Sequence, residues 1–299
     1  MLFSLSANAQ DGLHPWLTDA DKEIMDTFTR SGEEGVLTTF KGSPSARLSP
    51  LEITYQIQQG DAFHAVYLIS NRTLKPLKYR IICLVDYRQQ MIALDNLVSK
   101  SHEVTLQPKE QKIFTLATGA VNKGSHDFVL LAIHEGGGPK YDFPILSHRA
   151  NILVKGGGFP LAQHEQLDAT PLNFLPINGV VFNRAVKAGE FSPQMSNLTR
   201  NEKYYLHIAN VNEHITGYAV LIFADYEQQN FGVGDDRGVY YLNLAGKSAG
   251  VVPWATAGEQ CSNLFAIVIE NPYQTMEPEP GVMAKTPASV YLSNVLIKK

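Results

Sequence analysis

The sequence contains two copies of one segment, and this repeat limits the fold more than any other feature. Residues 68–90 (LISNRTLKPLKYRIICLVDYRQQ) align without a gap with residues 207–229 (HIANVNEHITGYAVLIFADYEQQ), at an offset of 139. A repeat of this length predicts two copies of one structural unit. The identical residues are Ile69, Asn71, Tyr79, Asp86, Tyr87, Gln89 and Gln90, which align with Ile208, Asn210, Tyr218, Asp225, Tyr226, Gln228 and Gln229.

Short apolar segments with alternating polarity surround both copies. The first copy is followed by HEVTL, QKIFTLAT, DFVLLAIHE and ANILVK, and the second by VYYLNL, AGVVPWAT, NLFAIVIE and SVYLSNVLIK. Strands at short, regular spacing are typical of a β-sandwich. We therefore predict an all-β protein. Leu130, Ala132 and Ile133 resemble Leu264, Ala266 and Ile267, which predicts an offset of 134 for the late strands.

The segments KYRIICLVDY and GYAVLIFADY are apolar on both alternating faces. A strand of this kind is covered on both sides of its sheet. One cover is the partner sheet of the same sandwich. The second cover has three candidates: the sister domain, an N-terminal helix or another subunit.

These patterns divide the chain into five parts. We predict a signal-peptide remnant over residues 1–9, an N-terminal extension over 10–50, a first β-sandwich over 51–158, a linker over 159–171 and a second sandwich over 172–299. Within the extension, DADKEIMDTFTR carries apolar residues at helical spacing after Thr18, which predicts one short helix. A short strand is also expected over residues 36–40.

Composition and charge bear on the class of protein and its location. Charged residues make up 18% of the chain and the net charge is −4, with basic residues scattered along the sequence. Nucleic-acid binding needs a basic face, so we expect no nucleic-acid partner. No stretch is long and apolar enough for a transmembrane segment. Ala7-Asn8-Ala9 matches a signal-peptidase site, which predicts a secreted protein, extracellular, on the cell surface or periplasmic; an unrelated polar N-terminus is the alternative.

The sandwich pattern resembles a known group of modules. In each copy an early strand ends in Asn (Asn71, Asn210), a later one ends in Asp-Tyr (Asp86, Asp225), and a strand-loop-strand such as VTLQPKEQKIFTL follows. This order is similar to the immunoglobulin-like, fibronectin-like modules of bacterial surface and adhesion-related proteins. The resemblance covers residues 51–155 and 172–299 and implies two tandem immunoglobulin-like sandwiches. Such modules serve as spacers, assembly units or ligand binders, so the fold implies no activity.

The sequence gives little support for a catalytic or metal-binding role of any residue. Ser248 lies in a G-x-S-x-G sequence, but a β-type segment follows it, which favours a hairpin turn over a nucleophile elbow. The histidines lack the H-x-x-x-H spacing of a metal site, and the acidic residues 234–238 lack the alternating pattern of a calcium loop. We therefore expect neither an enzyme nor a bound cofactor or metal. Cys83 is expected to be buried, and a disulfide to Cys261 between the domains is left open.

The repeated Asp-Tyr-x-Gln-Gln motif is interpreted as shared framework. Its aspartate is expected to accept hydrogen bonds from backbone N–H groups of a neighbouring turn, and its tyrosine to fill the end of the sandwich. The framework residues are Asn71, Asp86, Tyr87, Asn210, Asp225 and Tyr226.

Two long loops before the last strands are the predicted binding sites. They cover residues 136–148 and 271–287, and apolar contacts are expected from Tyr141, Phe143, Tyr273 and Met276. The leading hypothesis is a secreted, non-enzymatic structural or adhesive protein with protein partners or self-association. The alternatives are a glycan- or peptide-binding module that uses these loops, and an enzyme whose site the sequence does not reveal.

Overall fold

The structure is a computed structural model that places most of the chain in β-strands. It describes residues 15–17, 19, 35–48, 53–135, 145–172, 179–183, 197–198, 203–231, 238–257, 261–274, 290–293 and 296–298. The predicted helix after Thr18 lies outside these residues apart from Asp19. The described residues include one short 3₁₀ turn at Pro44–Ala46, and none of their helices is long and apolar enough to cross a membrane.

The described residues form eleven strands in the first unit and twelve in the second. Those of the first unit are β1 (Val36–Gly42), β2 (Thr54–Ile57), β3 (Ala62–Asn71), β4 (Leu77–Val85), β5 (Arg88–Gln89), β6 (Ile92–Leu94), β7 (Leu97–Ser99), β8 (Ser101–Leu106), β9 (Gln111–Ala120), β10 (Gly124–His134) and β11 (Ile145–Val154). Those of the second are β12 (Glu165–Gln166), β13 (Ala169–Pro171), β14 (Gly179–Asn183), β15 (Asn197–Leu198), β16 (Lys203–Asn210), β17 (Thr216–Ala224), β18 (Glu227–Gln228), β19 (Tyr240–Leu244), β20 (Ser248–Ala257), β21 (Asn263–Glu270), β22 (Val290–Leu292) and β23 (Leu296–Lys298).

The first unit is a sandwich of two sheets. One sheet has the order β1-β3-β9-β6-β7, and the other has β2-β11-β10-β4, with β5 and β8 both paired to β4. All pairs are antiparallel except β2 with β11. The strands β1, β3, β9 and β6 take the ABED positions of an immunoglobulin domain, and β11, β10 and β4 take the GFC positions. β1 pairs with β3 along its whole length, so part of the predicted extension belongs to this sandwich.

The second unit has a similar arrangement of strands. Its sheets have the orders β13-β20-β16-β14 and β12-β19-β17-β21-β23-β15, and β15 is parallel to β23 as β2 is to β11. The position that β6 takes beside β9 in the first unit is taken here by β13 beside β20, and β13 comes from residues 159–171. The predicted linker therefore contributes strands to both sheets of the second unit, because β12 joins the opposite sheet. The predicted class, two tandem immunoglobulin-like sandwiches, is confirmed.

The register corrects the expected offset of the late strands. Cys83 pairs with Leu130, and Ile222, which is equivalent to Cys83, pairs with Ala266. The offset is therefore 136, and the predicted value of 134 is wrong. A slip of two residues keeps every side chain on its own face of the sheet.

A third apolar cluster lies between the two sandwiches. Ile81 and Cys83 point into the core of the first unit, whereas Ile82 and Leu84 point the other way and meet residues of β17 and β21. The four sheets are therefore stacked, and the sister unit supplies the second cover of the central strands. The fully or largely buried members of this inter-unit cluster are Ile82, Leu84, Tyr87, Val129, Leu131, Ile133, Ala219, Leu221, Phe223, Val239, Phe265, Ile267 and Ile269.

Candidate functional site at the boundary of the two units

The repeated Asp-Tyr pair forms the same hairpin turn in both units. Val85 pairs with Arg88, so Asp86 and Tyr87 are the two loop residues between β4 and β5. Their φ angles are 50° and 61°, and those of the equivalent Asp225 and Tyr226 are 49° and 67°. Positive φ at both central residues defines a type I′ turn, whose twist matches that of the flanking strands.

The glutamines that follow these turns bind each other across the boundary. The Gln89 amide N–H donates to Gln228 Oε1 at 2.6 Å, and the Gln228 amide N–H donates to Gln89 Oε1 at 2.8 Å. Each side chain also donates to the opposite turn, from Gln89 Nε2 to the Tyr226 carbonyl and from Gln228 Nε2 to the Tyr87 carbonyl, both at 2.9 Å. This glutamine clasp is isologous, because equivalent residues exchange equivalent contacts as in a twofold dimer.

We expect Gln89→Ala and Gln228→Ala each to lower the free energy of unfolding by about 1–2 kcal/mol, because each removes several partly buried hydrogen bonds. The double variant is expected to be less destabilised than the sum by at least about 0.5 kcal/mol, since both residues form one network. Urea denaturation of the four proteins measures this coupling.

Gln90→Ala and Gln229→Ala are matched controls for this cycle. The side chains of these neighbouring glutamines donate to the local carbonyls of Arg88 and Glu227 and are partly exposed. Strictly additive losses at Gln89 and Gln228, or equal losses in the controls, would contradict the clasp.

The predicted framework residues have equivalent contacts in the two units. Asp86 Oδ1 accepts the Asp127 N–H at 3.1 Å, and Asp225 Oδ1 accepts the N–H groups of Ser262 and Asn263, both at 3.0 Å. Asn71 Nδ2 lies within hydrogen-bond distance of the Lys75, Leu106 and Gln107 carbonyls, and Asn210 Nδ2 approaches the His214, Leu244 and Ala245 carbonyls. Tyr87 lies in the inter-unit cluster instead of filling the end of its own sandwich.

A buried ion pair of the first unit also makes hydrogen bonds to the second unit. Asp127 and Arg149 have side-chain exposures of 0% and 2%, and Arg149 Nη2 lies 2.6 Å from Asp127 Oδ2. The Tyr87 hydroxyl donates to the same carboxylate oxygen, and Asn151 Nδ2 donates to Asp127 Oδ1 at 2.7 Å. Burial and the Asp127 charge raise the pKa of Tyr87 well above its usual range, which keeps the phenol protonated as a donor.

The second unit adds backbone hydrogen bonds to this pair, although the buried Nε of Arg149 has no hydrogen-bond partner among the described residues. Arg149 donates to the Glu270 carbonyl at 3.2 Å and to the Asn271 carbonyl at 3.0 Å. In the other direction, the Tyr273 N–H donates to Asp127 Oδ2 at 2.8 Å. Each buried charge of the first unit therefore has a hydrogen-bond partner from the loop after β21, which satisfies groups that would be costly to leave unpaired.

Tyr273, predicted as an apolar contact in a binding loop, lies in this boundary. Its hydroxyl is 2.9 Å from that of Tyr241, and its ring packs on Tyr87 with a centroid distance of 5.1 Å. The other three predicted binding residues, Tyr141, Phe143 and Met276, lie outside the described residues. The structure therefore brings Tyr273 together with Tyr87, Tyr241 and Asp127, and the binding role of the loops stays a prediction.

His126 and Asp86 border a small cavity at the side of this boundary. The cavity measures about 240 Å³ and is lined by Thr118, Asn122 and Arg88 among others. His126 Nδ1 lies 2.6 Å from Asp86 Oδ2, and its Nε2 lies 3.0 Å from the Asn122 carbonyl. Both ring nitrogens face acceptors, which suits the doubly protonated imidazolium. The hydrogen bond to Asp86 raises the pKa of His126 above 6.5, although burial opposes it.

We expect His126 to make stability pH-dependent. Because its pKa is raised in the folded state, its contribution is complete below pH 6.5 and is lost as the pH rises through the folded pKa. In His126→Gln this loss is expected to disappear, so the urea midpoints of variant and wild type converge at alkaline pH. His64→Gln, at an exposed position of the same unit, is the control. A pH profile of the His126 variant parallel to that of the wild type would contradict the assignment.

The surroundings of the other candidate groups, namely Ser248, the potential metal ligands and the two cysteines, do not form a reactive or metal-binding site among the described residues. Ser248 Oγ donates to the Ala245 carbonyl at 2.6 Å, within its own turn. Among the described residues no group of three His, Cys, Asp or Glu side chains could hold a metal ion, and residues 234–237 of the acidic loop fall outside them. Cys83 and Cys261 do not form a disulfide, and burial raises the pKa of the Cys83 thiol.

A larger, open cleft lies at the edge of the first unit, away from the boundary. It measures about 470 Å³ and is formed by the segments on either side of β2. Its lining is mainly polar and includes Ser43, Arg47, Gln56, Asp61 and His64. Such a surface offers a polar ligand hydrogen-bond donors and acceptors, together with one positive and one negative side chain.

Sequence reasoning missed the ion pair and the cleft. Asp127 begins the apolar segment DFVLLAI, and Arg149 begins the segment RANILV, in which Asn151 is the other polar residue. Buried charges are almost always paired, so these two residues were a usable signal. The cleft left no comparable signal, because its residues are ordinary polar side chains that only the fold brings together.

Comparisons with known proteins identify no family. No protein-family model matches the chain, and no curated protein matches it. Among solved structures, the CARDB domain of a Pyrococcus furiosus protein aligns with a TM-score of 0.28 and 10% identity, over 41% of this chain and 96% of that one. Red sea bream transglutaminase has a TM-score of 0.25 and 10% identity, over 96% of this chain and 34% of that one.

A further likeness is to the secreted serine protease VesC of Vibrio cholerae. It has a TM-score of 0.26 and 8% identity, over 92% of this chain and 53% of that one. The fold assignment rests on the strand order and register described above.

Proposed function

We propose that the chain is a secreted, non-enzymatic structural or adhesive protein in which the two sandwiches work as one body. The observation that supports this is the boundary itself. The apolar outer faces of the two central sheets are buried against each other. The glutamine clasp and the buried ion pair set the orientation of one unit relative to the other. Loops, sheet edges and outer sheets are then the surfaces that partners can reach.

The test is localisation together with adhesion. The natural protein is expected in the medium or the cell envelope on fractionation, and purified labelled protein is expected to bind envelopes or matrix of the producing cells. Protein confined to the cytoplasm, with no envelope or matrix binding, would overturn the proposal. A hydrolase screen is the enzymatic arm: activity that is present in the wild type and lost in Ser248→Ala would favour an enzyme instead.

The polar cleft favours a second candidate function, the binding of a glycan or peptide. Its volume of about 470 Å³ suits a small ligand or a segment of a larger one. A glycan and peptide array tests it, and Asp61→Ala is expected to weaken any true hit. Lys247→Ala removes an exposed charge from the other unit and is the control. Hits unaffected by Asp61→Ala would exclude this cleft as the binding site.

A further inference from the structure

The hairpin of β6 and β7 exposes large apolar side chains at the edge of a sheet. Leu97 and Val98, both in β7, are 72% and 58% exposed, and Met91 just before β6 is 49% exposed. Other exposed large apolar side chains of the described residues, such as Leu74 and Leu161, lie in turns or the linker. Among the residues that the structure describes, β7 pairs with β6 on one side and has no neighbouring strand on the other.

The register shows which backbone groups of β7 face outward. Leu94 pairs with Leu97 across a two-residue turn, in which Asp95 and Asn96 have φ angles of 46° and 71°. In a hairpin of this type the residues next to the turn exchange hydrogen bonds, and the following pair does not. Val98, in that following pair opposite Ala93, therefore directs its N–H and its carbonyl to the free edge of the sheet.

We propose that β7 pairs with β7 of a second copy of this chain, antiparallel and centred on Val98. The two valines then exchange both backbone hydrogen bonds, as a hydrogen-bonded antiparallel pair does. The same symmetry places Leu97 of each copy beside Ser99 of the other and covers both exposed leucines. The contact is isologous and closes as a dimer.

Charge complementarity supports this occupant. Asp95 precedes β7 and Lys100 follows it, and both are exposed. Pairing centred on Val98 puts Lys100 of one copy opposite Asn96 of the other, next to its Asp95. Two attractive pairs of opposite charge therefore flank the apolar centre, and the register places no like charges of residues 95–100 opposite each other.

Two further features favour pairing at this edge, namely a hydrogen bond that holds the end of β7 and the absence of a charge or proline within β7. The Lys100 carbonyl accepts a hydrogen bond at 3.1 Å from Nε2 of Gln89, the same atom that binds the second unit in the glutamine clasp. The end of β7 is thus tied to the inter-unit boundary. Two other edge strands carry a common protection against pairing, namely the charge of Glu165 in β12 and the proline at the end of β13. β7 has neither.

Sedimentation of the full chain over a range of concentrations tests the proposal. We expect a weak dimer with a Kd between about 10 µM and 1 mM, because the contact is much smaller than a standard protein interface. Val98→Pro removes the outward N–H without breaking a bond inside the sheet, and it is expected to raise the Kd at least about tenfold. Leu97→Lys places like charges near the centre and is expected to do the same.

Leu161→Lys is the matched control, since that leucine is 99% exposed in the linker. A cysteine variant tests the register: Val98→Cys in a Cys261→Ser background is expected to cross-link, because Cα atoms of a hydrogen-bonded pair lie about 5.5 Å apart, within disulfide range. Leu161→Cys is expected to cross-link less. A wild type that is monomeric throughout, or dimers unaffected by Val98→Pro, would overturn the proposal.

This inference deepens the proposed structural role and rests on it, yet the two can fail separately. Protein that stays monomeric but binds envelopes refutes the β7 contact alone. Protein that forms the β7 dimer but is cytoplasmic refutes the proposed secreted role.

Discussion

Replacing Arg149 by alanine is expected to lower the free energy of unfolding by about 3–5 kcal/mol, which is the usual effect of removing one partner from a buried ion pair. The variant leaves the Asp127 carboxylate fully buried with only neutral donors from Tyr87, Asn151 and Tyr273. It also removes the contacts to the Glu270 and Asn271 carbonyls, so the boundary between the units loosens. Urea denaturation at neutral pH measures the loss.

Arg80→Ala is the matched control. Arg80 also pairs with two carboxylates, those of Glu103 and Glu135, but its side chain is 27% exposed. Because solvent screens such a pair, a smaller loss of about 1 kcal/mol or less is expected. The double variant Asp127→Asn with Arg149→Met removes both charges and is expected to recover part of the loss. Equal losses at Arg149 and Arg80 would show that burial does not decide the strength of the pair.

Replacing Leu131 by aspartate is expected to destabilise the chain by more than about 4 kcal/mol. Leu131 is fully buried in the inter-unit cluster, whereas its neighbours Leu130 and Ala132 belong to the core of the first unit. The new carboxylate would have no partner in that layer, so the layer must open to water for the charge to be hydrated. We expect a lower urea midpoint and a slower-sedimenting, more extended protein with retained β circular dichroism.

Two variants keep this prediction testable if Leu131→Asp does not fold. Leu131→Ala leaves a cavity without a charge and is expected to cost about 2–5 kcal/mol. Leu161→Asp introduces the same charge at an exposed position and is expected to change stability by no more than about 0.5 kcal/mol. A Leu131→Asp protein with the midpoint and sedimentation coefficient of the wild type would refute the stacked arrangement of the units.

The local sequence pattern predicted the fold class, and the same pattern explains why the predicted offset of the late strands was wrong. Alternation places Ile81 and Ile82 on opposite faces of β4 without any knowledge of the tertiary structure. The offset of the late strands was wrong because a slip of two residues preserves that alternation, so no hydrophobic pattern can detect it. The pairing of Cys83 with Leu130 and of Ile222 with Ala266 decides it.

The candidate site was predictable only in part. The repeat identified Asp86, Tyr87 and Gln89 as residues with a shared role, but it could not show that Gln89 binds Gln228 in the opposite unit. Tyr273 was selected as a loop residue for external contacts, and its position beside Asp127 depends on how one unit sits on the other. Contacts between distant segments carry no periodic signal in the sequence.

The sequence by itself determined two β units, their long apolar strands and the need for a cover on both faces of the central sheets. Side-chain alternation and apolar content are local properties, so a sequence pattern can reveal them. Only the tertiary structure decided that the sister unit is that cover, that Asp127 and Arg149 are paired beneath it, and that β7 is left with an open apolar edge. These depend on which surfaces meet. That choice is made by the summed burial and hydrogen bonding of the whole chain.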